Sequence, residues 1–250
     1  MKLKNIFVGF LKTLLLITLF CGSLIHATNY MFLILQNYQY TANDFPPYLF
    51  EKNFETGQLT KIIDTENAFQ FKTYSLASET DIESYMSNVK PVLIKWAEED
   101  ESDIGSDAST SSILSRDIIE GVEMDHLPTR EVHVAIYKGK IEAVSYAEDA
   151  RQTIPEIKTL IANPEGLIEG QTKIVKGGGS SLLNYTLQRF KANNVKRVQL
   201  RSIRDKYYLD RGWEKKEKTD CSGLIYLDTF QVAFFNSAIF STGVKYPIAA

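Results

Sequence analysis

The sequence predicts a mixed α/β fold, and three features of residues 160–213 are the basis for this prediction. An apolar run ends at Ala162-Asn163-Pro164, where a strand is expected to stop. Three glycines then open an amphipathic segment of helical period. A second alternating run, Lys196–Ser202, leads into the pattern Tyr-Tyr-x-x-x-Gly-Trp. Strand, glycine-rich turn, helix and strand in this order form an α/β unit.

Further elements are predicted on both sides of this unit. Residues 69–74 alternate as an opening strand does, and Ser78 with Asp81 predicts a capping box for the helix that follows. Pro91 is expected to kink or restart that helix. The remaining predictions are one short helix and four strands: residues 113–119, 132–136, 141–146, 224–227 and 230–240.

The glycine-rich turn predicts an anion site. Glycines at a helix start let the backbone approach a ligand closely, and several N–H groups converge there with the positive end of the helix dipole. Such a point suits a pyrophosphate. Three glycines in an ordinary connection would cost backbone entropy for no packing return, which favours a ligand. The candidate phosphate-binding residues are Lys176, Gly177, Gly178, Gly179, Ser180 and Ser181.

These residues resemble the acetyl-CoA-binding core of the GNAT superfamily of N-acetyltransferases. Gly177 and Gly179 match the two glycines of the family's motif, and Tyr207-Tyr208-x-x-x-Gly212-Trp213 matches its last element. The Tyr137–Ile141 hairpin fits the family too, and with the first strand and helix included the resemblance covers roughly residues 68–228. It implies a mixed, mostly antiparallel central sheet, flanked by helices and split where acetyl-CoA enters.

The resemblance also implies a reaction. It is direct transfer of an acetyl group from acetyl-CoA, the co-substrate, to an amine acceptor. Main-chain N–H groups at a bulge around Leu160, Ile161 and Ala162 would polarise the thioester oxygen. Tyr208 matches the family tyrosine near the thioester sulfur. A phenol with a pKa of about 10 suits donation to a thiolate whose own pKa is about 8.5.

The sequence departs from the family pattern in a side chain that would face the phosphates and in the length of the loop before the glycines. Ile174 stands where the motif has Arg or Gln, and Lys173 and Lys176 are the candidates to compensate. The loop Glu165–Val175 is longer than the family's usual turn. A catalytically inactive binding module, or a secreted effector, that keeps the fold is therefore the alternative function. The pattern of a P-loop is not met, because no Lys-Ser/Thr pair follows the last glycine.

No general base stands out in the sequence. Four acidic residues near the ends of the central strands are candidates: Glu131, Glu148, Asp149 and Glu156. His133 lies within a strand and is expected to be a packed histidine. Residues 98–112 are predicted as a low-complexity connection. Its acidic start either attracts a cationic amine through its field or is simply a solvated loop.

The composition limits the classes of ligand and partner that we expect for this protein. At 250 residues with 44% hydrophobic residues, one domain with decorations is expected. A net charge of -3 and the lack of a basic stretch interleaved with aromatics exclude nucleic acid. The chain has only two cysteines, and its histidines match no familiar metal motif, so we expect no metal. The identity of the amine acceptor is not readable from the sequence.

The N-terminus resembles a secretory signal peptide. Lys2 and Lys4 precede a nearly continuous apolar run, and Ala27 is a candidate for the last residue before cleavage. This predicts a secreted or periplasmic protein with membrane contact only through that segment. An uncleaved anchor and a cytoplasmic product translated from Met31 are the alternatives. The predicted organisation is a leader (1–27), an N-terminal extension (28–67) and a GNAT-like domain (68–250).

Overall fold

A seven-stranded mixed sheet lies at the centre of the part of the chain that the structure describes. The computed structural model describes residues 29–98, 106–125 and 127–215. The strands are β1 (Asn29–Ile34), β2 (Tyr48–Lys52), β3 (Leu59–Ile63), β4 (Gln70–Ser75), β5 (Arg130–Tyr137), β6 (Lys140–Glu148), β7 (Glu156–Ala162), β8 (Arg197–Ser202) and β9 (Glu214–Lys215). The order in the sheet is β4-β5-β6-β7-β8-β1-β9, and β2 and β3 form a separate hairpin. Among these described strands, only β7 and β8 are parallel neighbours.

Helices cover both faces of this sheet. They are α1 (Glu79–Asn88), α2 (Lys90–Ala97), α3 (Asp107–Asp125), α4 (Pro164–Leu167), α5 (Gly178–Ala192) and α6 (Asp205–Leu209). Buried residues of α1, α2 and α3 cluster with Val132, Val134 and Val144. Buried residues of α5 cluster instead with Ala147 and with β1 and β8. Because successive side chains of a strand point to opposite faces, the two clusters lie on opposite sides of the sheet.

The predicted fold class is confirmed: the structure has a mixed, mostly antiparallel sheet flanked by helices. Helix α5 begins at the glycines, and its predicted apolar face is buried. The hairpin between β5 and β6 turns at Lys138 and Gly139, whose φ angles are 48° and 79°. Two successive positive φ angles match the right-handed twist of the paired strands. Pro91 lies in the first turn of α2, so the helix restarts there as predicted.

Two local predictions are wrong. Helix α3 begins at Asp107, inside the stretch predicted as a low-complexity connection, and its serines are buried with hydroxyls that donate to backbone carbonyls. The capping box is only half formed. Ser78 Oγ accepts from the Asp81 N–H at 3.3 Å, but the Asp81 carboxylate accepts from the Ser75 N–H instead of from Ser78.

The segment predicted as an N-terminal extension contributes to the central sheet. Its first described residues form β1, which pairs with β8 from Asn29–Ser202 to Ile34–Arg197. Its middle forms the β2–β3 hairpin, which bridges to the glycine-rich turn through Tyr48 and Lys176. The leader at 1–27 and the predicted strands at 224–227 and 230–240 lie outside the described residues. Among those described residues, no helix is long and apolar enough to span a membrane.

Candidate active site

The central sheet splits between its two parallel strands. β7 and β8 pair only at Glu156–Gln199 and Ile157–Leu200, although β7 continues to Ala162 and β8 to Ser202. Parallel strands end at the same edge of a sheet, so a gap opens toward the carboxyl ends of both. Ligands of open α/β sheets bind outside the carboxyl ends of strands. The gap is therefore the natural place for a ligand.

The irregular pairing of β7 is displaced from the predicted bulge. The register shifts where Tyr146 pairs with Thr159 and Ala147 with Ile157, which leaves Lys158 without a partner on β6. Leu160, Ile161 and Ala162 follow this point and pair regularly with β6. The carbonyl of Ala162 also accepts a hydrogen bond from Ser111 Oγ of α3. The side of β7 that faces β8 is unpaired with β8 beyond Ile157.

The first turn of α5 lies beside the end of β7. A Cβ built on Gly179 would be 3.7 Å from the Cβ of Ala162. Within the part of the chain that the structure describes, the N–H groups of Gly177, Gly178, Gly179 and Ser180 have no acceptor. These are the donors that a helix start leaves unsatisfied, and the helix dipole adds positive potential there. The arrangement can bind an anion such as phosphate.

The three positions of the turn differ in how strictly the structure requires glycine there. Gly177 has a φ of +97° and lies so close to the hairpin that an added Cβ would be 3.0 Å from Pro46 O. An added Cβ on Gly178 would be 3.1 Å from Glu142 O. Both glycines are therefore needed for packing, and the expectation that the turn gains nothing from packing is wrong for them. Only Gly179 has ordinary space around it.

The predicted lysine and serines are partly used by the fold. The Lys176 N–H donates to Tyr48 O at 2.8 Å, and its Nζ donates to Gly166 O at 2.6 Å. Burial lowers the pKa of Lys176. The Ser181 N–H donates to Gly177 O within the helix. The donors that the structure leaves for an anion are thus the N–H groups from 177 to 180.

Tyr208 is packed between two aromatic rings. Its ring meets Tyr207 and Trp213 edge-on, with centroid separations of 4.9 Å and 5.5 Å. The Tyr208 hydroxyl makes no hydrogen bond to any residue that the structure describes. Burial raises the pKa of Tyr208 well above its ordinary value. The phenol therefore keeps its proton at neutral pH and is a donor without a partner.

Tyr207 connects α6 to the first turn of α5. Its hydroxyl lies 2.8 Å from Ser180 Oγ, and the Arg211 guanidinium stacks on its ring at 3.7 Å. The sequence pattern marks Tyr207 only as a packing aromatic. Its contact brings the helix that carries Tyr208 to the anion-binding turn. The hydroxyl bond could not be anticipated, because the turn and the tyrosine pair are separated by a whole helix and strand.

Each of the four candidate carboxylates forms an ion pair or a hydrogen bond within the fold. Glu131 bonds to Arg189 at 2.6 Å, Asp149 to Arg151, and Glu156 to Lys158 at 2.8 Å. Glu148 Oε2 accepts from the Glu156 N–H at 3.0 Å. These pairs give each acid a structural role.

Glu142 is a carboxylate that sequence reasoning missed. It packs against Gly178, and its Oε2 accepts from Asn163 Nδ2 at 3.0 Å. Its pKa is raised, mainly by burial. A single acid inside the apolar run from Ile141 to Tyr146 was the available signal. Among the described residues, no group of three His, Cys, Asp or Glu side chains could hold a metal.

Comparisons with known proteins give only distant likenesses. No family model and no curated protein matches the chain. A functionally unknown conserved protein from Staphylococcus epidermidis is 10% identical, over 75% of this chain and 57% of that one, with a TM-score of 0.38. A tandem GNAT protein from the clavulanic acid biosynthesis pathway is 11% identical, over 75% of this chain and 49% of that one, with a TM-score of 0.40.

A third structure is an aminoglycoside acetyltransferase from an uncultured soil metagenomic sample. It is 12% identical, over 73% of this chain and 93% of that one, with a TM-score of 0.31. The chain spans about half the length of the tandem GNAT protein. These TM-scores are too low to establish a shared activity or ligand. The function has to be judged from the gap between β7 and β8 and from the residues around it.

Proposed function

We propose that the protein is an N-acetyltransferase that moves an acetyl group from acetyl-CoA directly to an amine acceptor. The observation that carries this proposal is the gap between β7 and β8, with the first turn of α5 beside it. A gap between parallel strands admits an extended ligand, and unsatisfied N–H groups at a helix start favour its phosphates. Both features are expected of a site for acetyl-CoA.

The chain's own groups fit the parts of such a ligand. The N–H groups of residues 177–180 are free to bind the phosphates, and the unpaired side of β7 from Lys158 to Ala162 offers main-chain groups along the gap. The thioester of acetyl-CoA supplies an acetyl group activated toward amines. Tyr208 carries its hydroxyl proton at neutral pH, and the burial that raises its pKa makes it a weaker acid than an ordinary phenol. Its role is to protonate the departing sulfur, while the proton that the attacking amine loses passes to solvent, from which Tyr208 is protonated again.

Calorimetric titration of the full chain with acetyl-CoA tests the cofactor site. Gly179→Glu places a carboxylate on the first turn of α5, where an added Cβ would be in ordinary contact with Ala162 at 3.7 Å, and Gly179→Gln is a matched control of the same size without the charge. We expect saturable binding by the unchanged chain and by Gly179→Gln. Gly179→Glu should bind about ten-fold or more weakly, since like charges oppose each other there. Equal affinity of the two variants would contradict the assignment.

Catalysis is tested separately, by thiol release from acetyl-CoA with a panel of amines. The panel contains a lysine peptide, a peptide with a free N-terminus, a polyamine and an aminoglycoside. Tyr208→Phe should lower kcat by about 10²-fold, with acetyl-CoA binding retained. Tyr207→Phe is the comparison variant, because it removes the Ser180 contact and leaves the Tyr208 phenol. Binding without turnover of any amine would favour the inactive module, and a folded chain that binds no acetyl-CoA would overturn the site itself.

A further inference from the structure

A row of polar side chains crosses the sheet beneath α5. Thr73 of β4 pairs with His133 of β5, and His133 pairs with Ser145 of β6. Side chains that pair directly across antiparallel strands share one face, so all three lie on the same side. Tyr185 of α5 contacts this row, because its ring meets the His133 ring edge-on at 6.1 Å. The row therefore lies between the sheet and α5.

One end of the row is hydrogen-bonded. Thr73 Oγ1 is 2.9 Å from His133 Nδ1 and 3.1 Å from Tyr185 Oη. A hydroxyl has a single proton, so Thr73 donates to one of these neighbours and accepts from the other. The contact fixes the His133 ring and connects it to the helix.

The other end of the row lacks partners. Within the described residues, His133 Nε2 and Ser145 Oγ are both buried and make no hydrogen bond. The side chains are 0% and 1% exposed. An unsatisfied buried donor or acceptor costs about 1–3 kcal/mol, so folded proteins rarely leave two such atoms on neighbouring strands without a partner. Their placement on paired residues of adjacent strands calls for a shared third partner.

A carboxylate completes the surroundings. Glu131 Oε2 lies 3.7 Å from His133 Nε2, which is too far for a direct hydrogen bond. Glu131 is 5% exposed, and Arg189 of α5 holds it through two hydrogen bonds. Burial, followed by the charge of Arg189, lowers the pKa of His133 to about 3. The imidazole is thus neutral at physiological pH and does not form an ion pair with Glu131.

We propose that His133 Nε2, Ser145 Oγ and Glu131 Oε2 together bind one internal water molecule. Buried waters usually make about three hydrogen bonds to otherwise unsatisfied polar groups, and this site offers three. Because the Glu131 carboxylate lies on the Nε2 side of the ring, the proton belongs on Nε2. His133 then donates to the water, the water donates to Glu131, and Thr73 donates to His133 Nδ1.

The bound water lies between two direct polar attachments of α5 to the sheet. Tyr185 and Arg189 lie one turn apart on the helix, and they bond to Thr73 and to Glu131. These attachments do not depend on any activity of the protein. They fix the position of the helix whose first turn lies beside the gap.

Solution NMR of the full chain tests the proposal. Nitrogen chemical shifts report which nitrogen of His133 carries the proton, and water-to-protein cross-relaxation reports a long-lived water near the ring. We expect the neutral Nε2–H form and a water contact in the unchanged chain. Ser145→Val should abolish the water contact, because its methyl groups occupy the site. Ser115→Ala should keep it, since Ser115 is buried but bonds to Ser111 O of its own helix at 2.9 Å.

Two results would overturn the proposal. One is the absence of a water contact at His133 in the unchanged chain. The other is a water contact that persists in Ser145→Val. Should that variant fail to fold, a high-resolution crystal structure of the unchanged chain decides the matter. Solvent density bonded to the three named atoms supports the site, whereas a direct bond from His133 Nε2 to Ser145 Oγ or Glu131 contradicts it.

Discussion

The two halves of the central sheet differ in how they are joined internally and to each other. In the first half, β4 to β7, neighbouring strands pair along most of their lengths, as β5 and β6 do from Arg130–Glu148 to Tyr137–Lys140. The second half, β8, β1 and β9, is also antiparallel. Between the halves, only two residue pairs connect β7 to β8. The weakest joint of the sheet is therefore the place where the candidate site opens.

Helix α5 compensates for this weak joint. Its buried Leu183, Leu187 and Phe190 belong to a cluster that also contains residues of β1, β6, β7 and β8. The body of the helix thus packs on both halves, while its first turn leaves N–H donors beside the gap. Stability and the candidate ligand site therefore depend on the same helix. Substitutions along α5 should separate the two contributions.

The largest effect is expected from the body of the helix. Phe190 is 0% exposed in the cluster that joins the halves, so Phe190→Ala should lower the free energy of unfolding by about 3–5 kcal/mol. Urea unfolding followed by circular dichroism measures this. Met124, which is 60% exposed on α3, provides the control, and Met124→Ala should change stability by about 0.5 kcal/mol or less. A similar small effect at Phe190 would mean that α5 does not hold the halves together.

A smaller effect on stability is expected at two adjacent glycines of the first turn, which should respond differently to substitution by alanine. Gly178→Ala should lower the free energy of unfolding by about 1–3 kcal/mol, because the new Cβ would be only 3.1 Å from Glu142 O. Gly179→Ala meets only Ala162 at 3.7 Å and should be neutral or slightly stabilising, since alanine favours helix. The same unfolding experiment compares them. Equal costs would show that Gly178 is not closely packed on β6.

The last expected effect is a pH dependence that originates in the first half and accumulates over several pH units. The pKa of His133 is lowered to about 3 in the folded protein, mainly by burial, whereas an unfolded histidine titrates near pH 6.5. Below about pH 6.5 the unfolded chain binds the extra proton. The stability present at neutral pH is therefore lost as the pH falls toward 3, by up to about 1.4 kcal/mol per unit.

His133→Gln removes the titrating group and sharpens this test. The variant should be less stable than the unchanged chain at neutral pH, because the ring contacts are lost. Between about pH 6 and about pH 4, however, its stability should fall less steeply. Parallel slopes for the two proteins would show that His133 titrates normally and is not buried in the neutral form.

The sequence predicted the elements whose evidence is local. Alternation predicted β4 and the β5–β6 hairpin, and helical spacing predicted the buried face of α5. Helix α3 was predicted too short, because its first turns are rich in serine and carry little apolar periodicity. Ser111 and Ser115 are nevertheless buried, and their hydroxyls donate to backbone carbonyls. Polar residues that satisfy themselves in this way leave no pattern that distinguishes them from a loop.

The candidate site was predicted in its outline but not in its surroundings. The glycines at a helix start have a local signature, and the position of α5 follows from it. The Tyr48–Lys176 bridge, the Tyr207–Ser180 contact and the place of β1 beside β8 join residues far apart in the chain. A single sequence does not show which distant segments are in contact in the fold. For the same reason Glu142 was missed, since only its packing against Gly178 brings it to the site.

The most direct test of the central claim is hydrogen exchange of the full chain with and without acetyl-CoA. We expect added protection at two segments that are distant in sequence, residues 158–162 of β7 and residues 177–180 at the start of α5. The β5–β6 hairpin, which lies away from the gap, should exchange equally in both conditions. Protection that misses either segment, or that is uniform over the chain, would contradict a ligand site in the gap between the two halves.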